Sequence, residues 1–170
     1  MGTSDNFTVL SPIEFIKDVA NEAEKARKRV WAQAMEIESG AVTDTFLQVF
    51  RDAAKQGIDT RLHADYYSLL LTDGIFNYWP FVSAEFKKNK RRRLRKQNEL
   101  AASLRKSGVR FIYTNPPSIL DKAFPARGRN HMKIVIIDDS SWIGGVNFHD
   151  ENFTIPDIMV KITDPVITTE

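Results

Sequence analysis

Residues 128–148 read GRNHMKIVIIDDSSWIGGVNF, and this stretch decides how the chain folds around its candidate site. An apolar run with polar ends predicts a β-strand over 131–138, followed by a tight turn and a second strand over 141–146. Because side chains alternate along a strand, His131 and Lys133 are predicted to share one face, about 6.6 Å apart. The alternate apolar side chains are predicted to point into the core: these are Met132, Ile134 and Ile136.

A histidine beside a lysine suits an anion, above all a phosphoryl group. The ammonium of Lys133 can neutralise phosphoryl oxygens, while a neutral imidazole at His131 can attack phosphorus and form a covalent intermediate. Asn147 ends the neighbouring predicted strand and can donate its amide to the same oxygens. Gly144 and Gly145 allow the backbone to approach a ligand closely. The stretch therefore predicts a phosphate-binding site.

Three helices are predicted from their caps and stops. The segment SPIE (11–14) provides an N-cap, a proline at the first helical position and a capping box, and that helix runs to about residue 27. Thr43 or Asp44 is predicted to cap a second helix, which Gly57 ends. A long third helix is predicted over about 84–106, again followed by a glycine.

The remaining apolar segments predict further strands, at 29–36, 58–65, 109–114 and 157–163. Strands that alternate with helices and then cluster predict an α/β fold, with a mixed β-sheet flanked by helices. The length of 170 residues predicts a single domain.

Composition excludes several classes of protein. The chain has no cysteine, so disulfides, thiolate metal sites and cysteine nucleophiles are excluded. With 42% hydrophobic and 27% charged residues, it is typical of a globular protein. The sequence has no signal-peptide pattern and no apolar run approaching the ~20 residues that span a bilayer. These features predict a cytoplasmic or peripheral membrane location.

The positive charge is concentrated in one segment, KKNKRRRLRK (87–96), whereas the rest of the chain is net negative. Aromatic residues precede it, among them Trp79. Basic and aromatic residues together suit an anionic membrane surface, and the same chemistry suits a nucleic-acid backbone. A solvated helix face above packed aromatics is the alternative. The predicted contact residues are Lys87, Lys88, Lys90, Arg91, Arg92, Arg93, Arg95, Lys96 and Trp79.

The spacing His131-x-Lys133, four residues, Asp138, then Gly-Gly-x-Asn (144–147) resembles the signature of the phospholipase D superfamily, the HKD motif. The resemblance covers most of 29–167 and is greatest to the first catalytic half of bacterial cardiolipin synthases. Two details depart from the pattern. The gap between Asp138 and Gly144 is one residue shorter than usual, and Gly145 replaces the more common serine.

The resemblance implies a phospholipase D-like half-domain in which His131 is the nucleophile that forms a phosphohistidine. Lys133 and Asn147 would then hold the phosphoryl oxygens, with no cofactor and no metal. Asp157 matches the acidic position that orients the imidazole, the alternative being a solvated acid at a strand end. Asp138 belongs to the motif, but strand alternation places it opposite His131, which favours a turn-capping role.

The reaction needs two histidines, and the family takes them from two copies of the motif. This chain has one copy, because neither His63 nor His149 is followed by a lysine two residues later. The second motif is expected from a missing C-terminal half or from a homodimer partner. Asp164 and Pro165 are typical of a helix start just before the sequence ends, which favours an N-terminal piece of a longer protein, inactive unless it dimerises.

Three functions remain open. The first is a phosphodiester-cleaving or phosphatidyl-transferring enzyme half that acts on phospholipids at an anionic membrane. The second is a homodimeric nuclease of the same superfamily, with the basic segment on nucleic acid. The third is a non-catalytic module that binds anions.

Overall fold

A computed structural model describes residues 7–66, 84–116 and 130–163, together with part of the side chains in the helix that begins at residue 84. The described strands form one mixed sheet in the order β1-β7-β6-β5-β2-β3-β4. Their bounds are β1 Phe7–Leu10, β2 Arg29–Ala34, β3 Asp59–Asp65, β4 Arg110–Thr114, β5 Ile134–Ile137, β6 Ser140–Gly144 and β7 Met159–Thr163. The predicted fold class, an α/β fold with a mixed sheet flanked by helices, is confirmed.

Strand directions bring four chain segments to one edge of this sheet. β2, β3 and β4 run parallel to one another, whereas β5 is antiparallel to both β2 and β6, and β7 is antiparallel to β6. The carboxyl ends of β2 and β6 therefore meet the amino ends of β5 and β7. In open α/β sheets, ligands bind outside the carboxyl ends of the parallel strands, and this edge has that position.

The described helices are α1 Pro12–Ala23, α2 Ala41–Lys55 and α3 Ala84–Lys106, with a short 3₁₀ helix at Asp150–Phe153. The capping box of α1 is confirmed, because the Ser11 hydroxyl accepts from the Glu14 N–H and the Glu14 carboxylate accepts from the Ser11 N–H.

The predicted caps of α2 are wrong, since the helix begins at Ala41 and neither Thr43 nor Asp44 precedes it. The carboxylate of Asp150 accepts instead from the backbone N–H groups of Val42 and Thr43, at 3.1 and 2.9 Å. Because this cap comes from a residue more than 100 positions later, the sequence around the helix start contains no pattern that predicts it.

The core lies between the helices and one face of the sheet. Phenylalanine rings from α1, α2 and the segment after β6 pack together, with Phe46 and Phe148 4.9 Å apart. On the sheet side, the buried residues include Val30, Val135 and Trp142. Burial of these large apolar side chains is the main stabilising contribution to the fold.

One prediction about β5 is wrong. Met132 is 55% exposed, and the fully buried positions of the strand are Val135 and Ile137 rather than Ile134 and Ile136. All four residues of β5 are apolar, so alternation alone cannot indicate which face is covered by helices. The strand also begins at Ile134, which leaves Met132 outside the paired ladder.

Candidate active site

The candidate site lies at the sheet edge where β2 and β6 end and β5 and β7 begin. Glu36 follows β2 by two residues, and His131 and Lys133 directly precede β5. Asn147 follows β6, and Asp157 precedes β7. The topology therefore brings Glu36 together with residues that lie 95 to 121 positions later in the chain.

His131 and Lys133 form a direct contact. The Nζ of Lys133 lies 3.0 Å from Nδ1 of His131 and donates to the His131 carbonyl oxygen at 2.8 Å. The imidazole is exposed, whereas the lysine is only 5% exposed. Burial lowers the pKa of Lys133, and the negative charges of Glu36 and Asp157 oppose that shift. The pair thus combines a solvent-exposed imidazole with a buried ammonium group.

Glu36 connects this pair to Asn147 and His149. Its backbone N–H donates to Oδ1 of Asn147 at 3.2 Å, and its carboxylate lies 3.4 Å from Nε2 of His149. Because an N–H must face an acceptor, the amide oxygen of Asn147 is turned toward Glu36, which leaves the amide NH₂ to donate elsewhere. The amide NH₂ of Asn147 is therefore not the group that contacts the Glu36 N–H.

Asp157 and the two glycines form a tight corner between β6 and β7. The Asp157 carboxylate accepts from the Ile158 N–H at 2.7 Å and lies directly against Gly145, where a Cβ would collide with it. A Cβ at Gly144 would collide with the Ile158 carbonyl oxygen. Both glycines thus permit the close approach that holds Asp157 beside the site, and its negative charge acts on Lys133.

Asp138 lies at the opposite end of β5 from His131, so the structure does not bring it to the other motif residues. Its carboxylate accepts from the backbone N–H groups of Arg27, Lys28 and Arg29, at 2.7, 2.9 and 3.0 Å. Burial acts to raise the pKa of Asp138, but these hydrogen bonds outweigh it and the pKa lies below its usual value. The residue ties the β5–β6 turn to the start of β2.

Replacing Asp138 with asparagine is therefore expected to lower the free energy of unfolding by about 2 kcal/mol, the scale of hydrogen bonds to a charged group. Asparagine tolerates the positive φ of 47° at this position, so the loss reports the carboxylate. The pKa of Asp138 is lowered in the folded state. The higher free energy of unfolding of the wild type is therefore present near neutral pH and is lost as the pH falls through the folded-state pKa of Asp138. Urea unfolding at several pH values measures both effects, with the exposed neighbour changed in Asp139→Asn as the control. Equal stability of the two variants would contradict this role.

Asp65 is a further residue that the sequence prediction missed. It ends β3, is 1% exposed, and accepts from the Asn130 N–H at 2.8 Å and from the Asn115 side chain at 2.7 Å. Since Asn130 directly precedes His131, this buried carboxylate anchors the segment that carries the imidazole. Glu36 was missed as well, although its place at the end of the predicted strand 29–36 was a usable signal.

The basic segment forms the first half of α3. Its described basic side chains are exposed, and these are Lys88, Arg91, Arg92, Arg93, Arg95 and Lys96. Among the described side chains of α3, the buried ones are Gln97, Leu100, Ala101 and Leu104, in the second half of the helix. Arg93 reaches a cavity of about 420 Å³ that Glu36 and His149 also line. Trp79 and the side chains of Lys87 and Lys90 lie outside the described residues.

Within residues 7–66, 84–116 and 130–163, no cluster of three or more His, Asp or Glu side chains is placed to hold a metal ion. In the same part of the chain, no helix has the length and apolar character that crossing a membrane requires.

Solved structures of the same fold confirm the architecture. NucT from Helicobacter pylori matches with a TM-score of 0.61 at 12% identity, over 95% of this chain and 87% of that chain. Nuc from Salmonella typhimurium, a phospholipase D family member, matches with a TM-score of 0.59 at 16% identity, again over 95% and 87%. Phosphatidylserine synthase from Haemophilus influenzae matches with a TM-score of 0.66 at 15% identity. This match covers 96% of the present chain but only 35% of the synthase chain.

Fold and motif together define a phospholipase D-like domain. Residues 19–170 match the family model described as cardiolipin synthase, PLD-like domain, and the chain therefore belongs to this family of the phospholipase D superfamily. A search of curated proteins finds no match.

Proposed function

We propose that this chain is one half of a phosphodiester-cleaving or phosphatidyl-transferring enzyme that acts on phospholipids through a phosphohistidine at His131. The observation that carries the proposal is the contact between the sheltered Lys133 ammonium and the exposed His131 imidazole. Asn147 and Asp157 lie at the same sheet edge. This combination supplies a nucleophile, a cation and an amide donor for a single phosphoryl group.

Substrate binding is expected to activate the imidazole by drawing Lys133 away from it. An ammonium group has only donors, so Nδ1 of His131 accepts in the observed contact and a neutral ring then carries its proton on Nε2. A phosphoryl oxygen competes for the same ammonium. Once Lys133 turns to that oxygen, the proton can reside on Nδ1, and Nε2 is free to attack phosphorus. Asp157 is proposed to orient the protonated nitrogen.

A complete reaction cycle is proposed to use a second motif, from a C-terminal half of a longer chain or from a second copy of this chain. The first step can nevertheless be observed on one half. A p-nitrophenolate leaving group is a weak base and needs no proton donor, so a short-chain p-nitrophenyl ester of phosphatidic acid requires only the nucleophile and its oxygen-binding groups.

The experiment is a rapid-mixing measurement of p-nitrophenolate release by the 170-residue chain. We expect a burst of up to one equivalent per chain, an acid-labile phospholipid adduct on the protein, and no change on addition of EDTA. A slow linear release without burst or adduct would contradict the proposed function.

The basic half of α3 is proposed to hold the domain on an anionic membrane surface. Its described basic side chains are exposed, and the buried side chains described in this helix begin at Gln97. A homodimeric nuclease is the second candidate, because the same exposed charges can track a nucleic-acid backbone. Vesicle and oligonucleotide binding by one preparation separates the two.

Changing Arg91, Arg92 and Arg95 together to glutamine is expected to weaken binding to phosphatidylglycerol-containing vesicles about 100-fold. Each basic residue near an anionic surface contributes about 1 kcal/mol, and glutamine keeps the helix propensity of arginine. Vesicle co-sedimentation at low and physiological salt measures the effect.

The matched control changes three exposed lysines outside α3, in Lys17→Gln, Lys25→Gln and Lys55→Gln, which removes the same charge. An equal loss of vesicle binding in both triple variants would show that net charge alone explains the effect, and it would contradict a specific role for α3. Strong oligonucleotide binding with no vesicle binding would favour the nuclease.

A further inference from the structure

Asp65 breaks the burial pattern of β3. The buried residues alternate along the first part of this strand, at Thr60, Leu62 and Ala64, as expected when one face of a sheet is covered. Asp65 belongs by alternation to the opposite face, yet only 1% of it is exposed. Burial of a carboxylate is costly unless hydrogen-bond donors surround it, so this position implies specific partners.

Two donors converge on one oxygen of this carboxylate. Oδ2 of Asp65 accepts from the backbone N–H of Asn130 at 2.8 Å and from the side-chain NH₂ of Asn115 at 2.7 Å. Asn115 directly follows β4 and has a φ of 52°, a left-handed conformation that asparagine adopts more readily than most residues. The residue type at 115 thus suits both the turn and the contact.

The hydrogen bond from Asn130 passes over a strand. In the sheet, β2 lies between β3, which ends at Asp65, and β5, which begins at Ile134. Strands two places apart are separated by about 9.5 Å, too far for one side chain and one hydrogen bond to bridge. The segment before β5 therefore leaves the line of its strand and crosses the carboxyl end of β2 to reach Asp65.

His131 is held on both sides along the chain. Upstream, Asn130 is tied to Asp65, and its side-chain oxygen accepts from the backbone N–H two residues later at 3.0 Å. Downstream, the Lys133 carbonyl accepts from the Gly144 N–H at 3.2 Å, which joins it to β6. Only two residues separate these anchors, so the exposed imidazole has little freedom to move away from Lys133.

We propose that Asp65 is a positioning residue for the nucleophile, and that its carboxylate fixes the His131 imidazole beside Lys133 before substrate binds. The inference rests on the proposed function and adds to it a residue that acts through the backbone of Asn130 rather than on the substrate. A displacement of about 1 Å from the reacting geometry can cost about 100-fold in rate. Asp65 should therefore control the rate of attack on phosphorus and have little effect on substrate binding.

Replacing Asp65 with alanine removes the acceptor and is expected to slow the p-nitrophenolate burst about 100-fold at saturating substrate. The substrate concentration that gives half of the maximal burst rate should change by less than about threefold, because Lys133 and Asn147 remain to hold the phosphoryl oxygens. The burst amplitude per folded chain should stay the same. Rapid mixing measures the burst, and urea unfolding establishes the folded fraction.

Asp65→Asn separates position from charge. Asparagine has the same shape and keeps one oxygen, so it can still accept from Asn130 and Asn115 in hydrogen bonds that lack charge assistance. We expect this variant to slow the burst by no more than about tenfold. If Asp65→Asn were as slow as Asp65→Ala, the negative charge would be responsible instead of the position of the segment, and the inference would be wrong.

Asp59→Ala is the matched control. Asp59 begins the same strand at the end away from the site, and its carboxylate accepts from Arg61 at 2.8 Å and from the Trp31 indole at 3.1 Å. Its replacement should lower the free energy of unfolding and leave the burst rate unchanged. Equal slowing by Asp59→Ala and Asp65→Ala would attribute the effect to general destabilisation and contradict the positioning role.

Hydrogen exchange tests the contact without turnover. In two-dimensional NMR of the intact chain, the Asn130 N–H should exchange at least ten times faster in Asp65→Ala than in the wild type, because its buried acceptor is lost. If Asp65→Ala does not fold, Asn115→Gly replaces it in the test, since glycine keeps the left-handed turn and removes the second donor to Asp65. It should change exchange and burst rate in the same directions by smaller factors. Unchanged exchange of the Asn130 N–H in the variant tested would contradict the inference.

Failure of the inference is distinct from failure of the proposed function. If the wild-type chain gives a burst and Asp65→Ala gives the same burst rate, the positioning role is wrong and the proposed function stands. If the wild-type chain gives neither burst nor adduct, the proposed function itself is wrong.

Discussion

Replacing His131 with glutamine is expected to abolish the p-nitrophenolate burst and to lower any steady turnover by about 10⁴-fold or more, the scale of removing a catalytic nucleophile. No other imidazole contacts Lys133 among the described residues, so no nearby group can take over the attack. The side chain is exposed, and the free energy of unfolding should change by less than about 0.5 kcal/mol. Stopped-flow release and urea unfolding on the same preparation measure both quantities.

His63→Gln is the matched control for this variant. His63 is half-buried on β3, and this burial lowers its pKa. It differs from His131, which is exposed and contacts a lysine. A burst that survives in His131→Gln but disappears in His63→Gln would reverse the assignment of the nucleophile.

Replacing Lys133 with methionine is expected to slow formation of the adduct by about 10²- to 10³-fold, as expected for losing one group that stabilises phosphoryl oxygens. The variant should fold at least as stably as the wild type, because a buried ammonium is exchanged for an apolar side chain of similar length. A slower enzyme with an unchanged or higher midpoint of urea unfolding is therefore the expected signature.

Lys161→Met gives the opposite signature and serves as the control. Lys161 lies on β7, only 16% exposed, where it pairs with Asp18 at 3.0 Å and with Glu22 at 3.3 Å. Its loss removes the cation that two carboxylates of α1 share and leaves Asp18 with only the Trp142 indole N–H as a partner and Glu22 with only the exposed Lys25, which should reduce stability without slowing the adduct. If both methionine variants lost stability and kept the rate, Lys133 would be structural and the phosphate site would be misplaced.

The sequence was informative wherever a structural cause is local. The capping box at Ser11 and the glycine that ends α2 are confirmed, with Gly57 at a φ of 81°. The spacing of His131 and Lys133 correctly placed both at one end of a strand, and the structure brings their side chains to 3.0 Å.

Where the cause is distant, the sequence was uninformative. The cap of α2 comes from Asp150, more than 100 residues later, and the Glu36–His149 contact spans a similar separation. β1 was not predicted because it is a four-residue strand at the sheet edge, with Phe7 and Val9 about 60% exposed. An edge strand of this kind is defined by its partner β7 rather than by its own pattern.

The cap that Asp150 provides for α2 has a consequence for how this domain tolerates change. Asn147 and Asp150 lie three residues apart on a single segment, so the proposed phosphate contact and the residue that caps a helix share one stretch of backbone. Adding or removing a residue between 147 and 150 would disturb catalysis and folding in the same event. This loop therefore has little freedom in length.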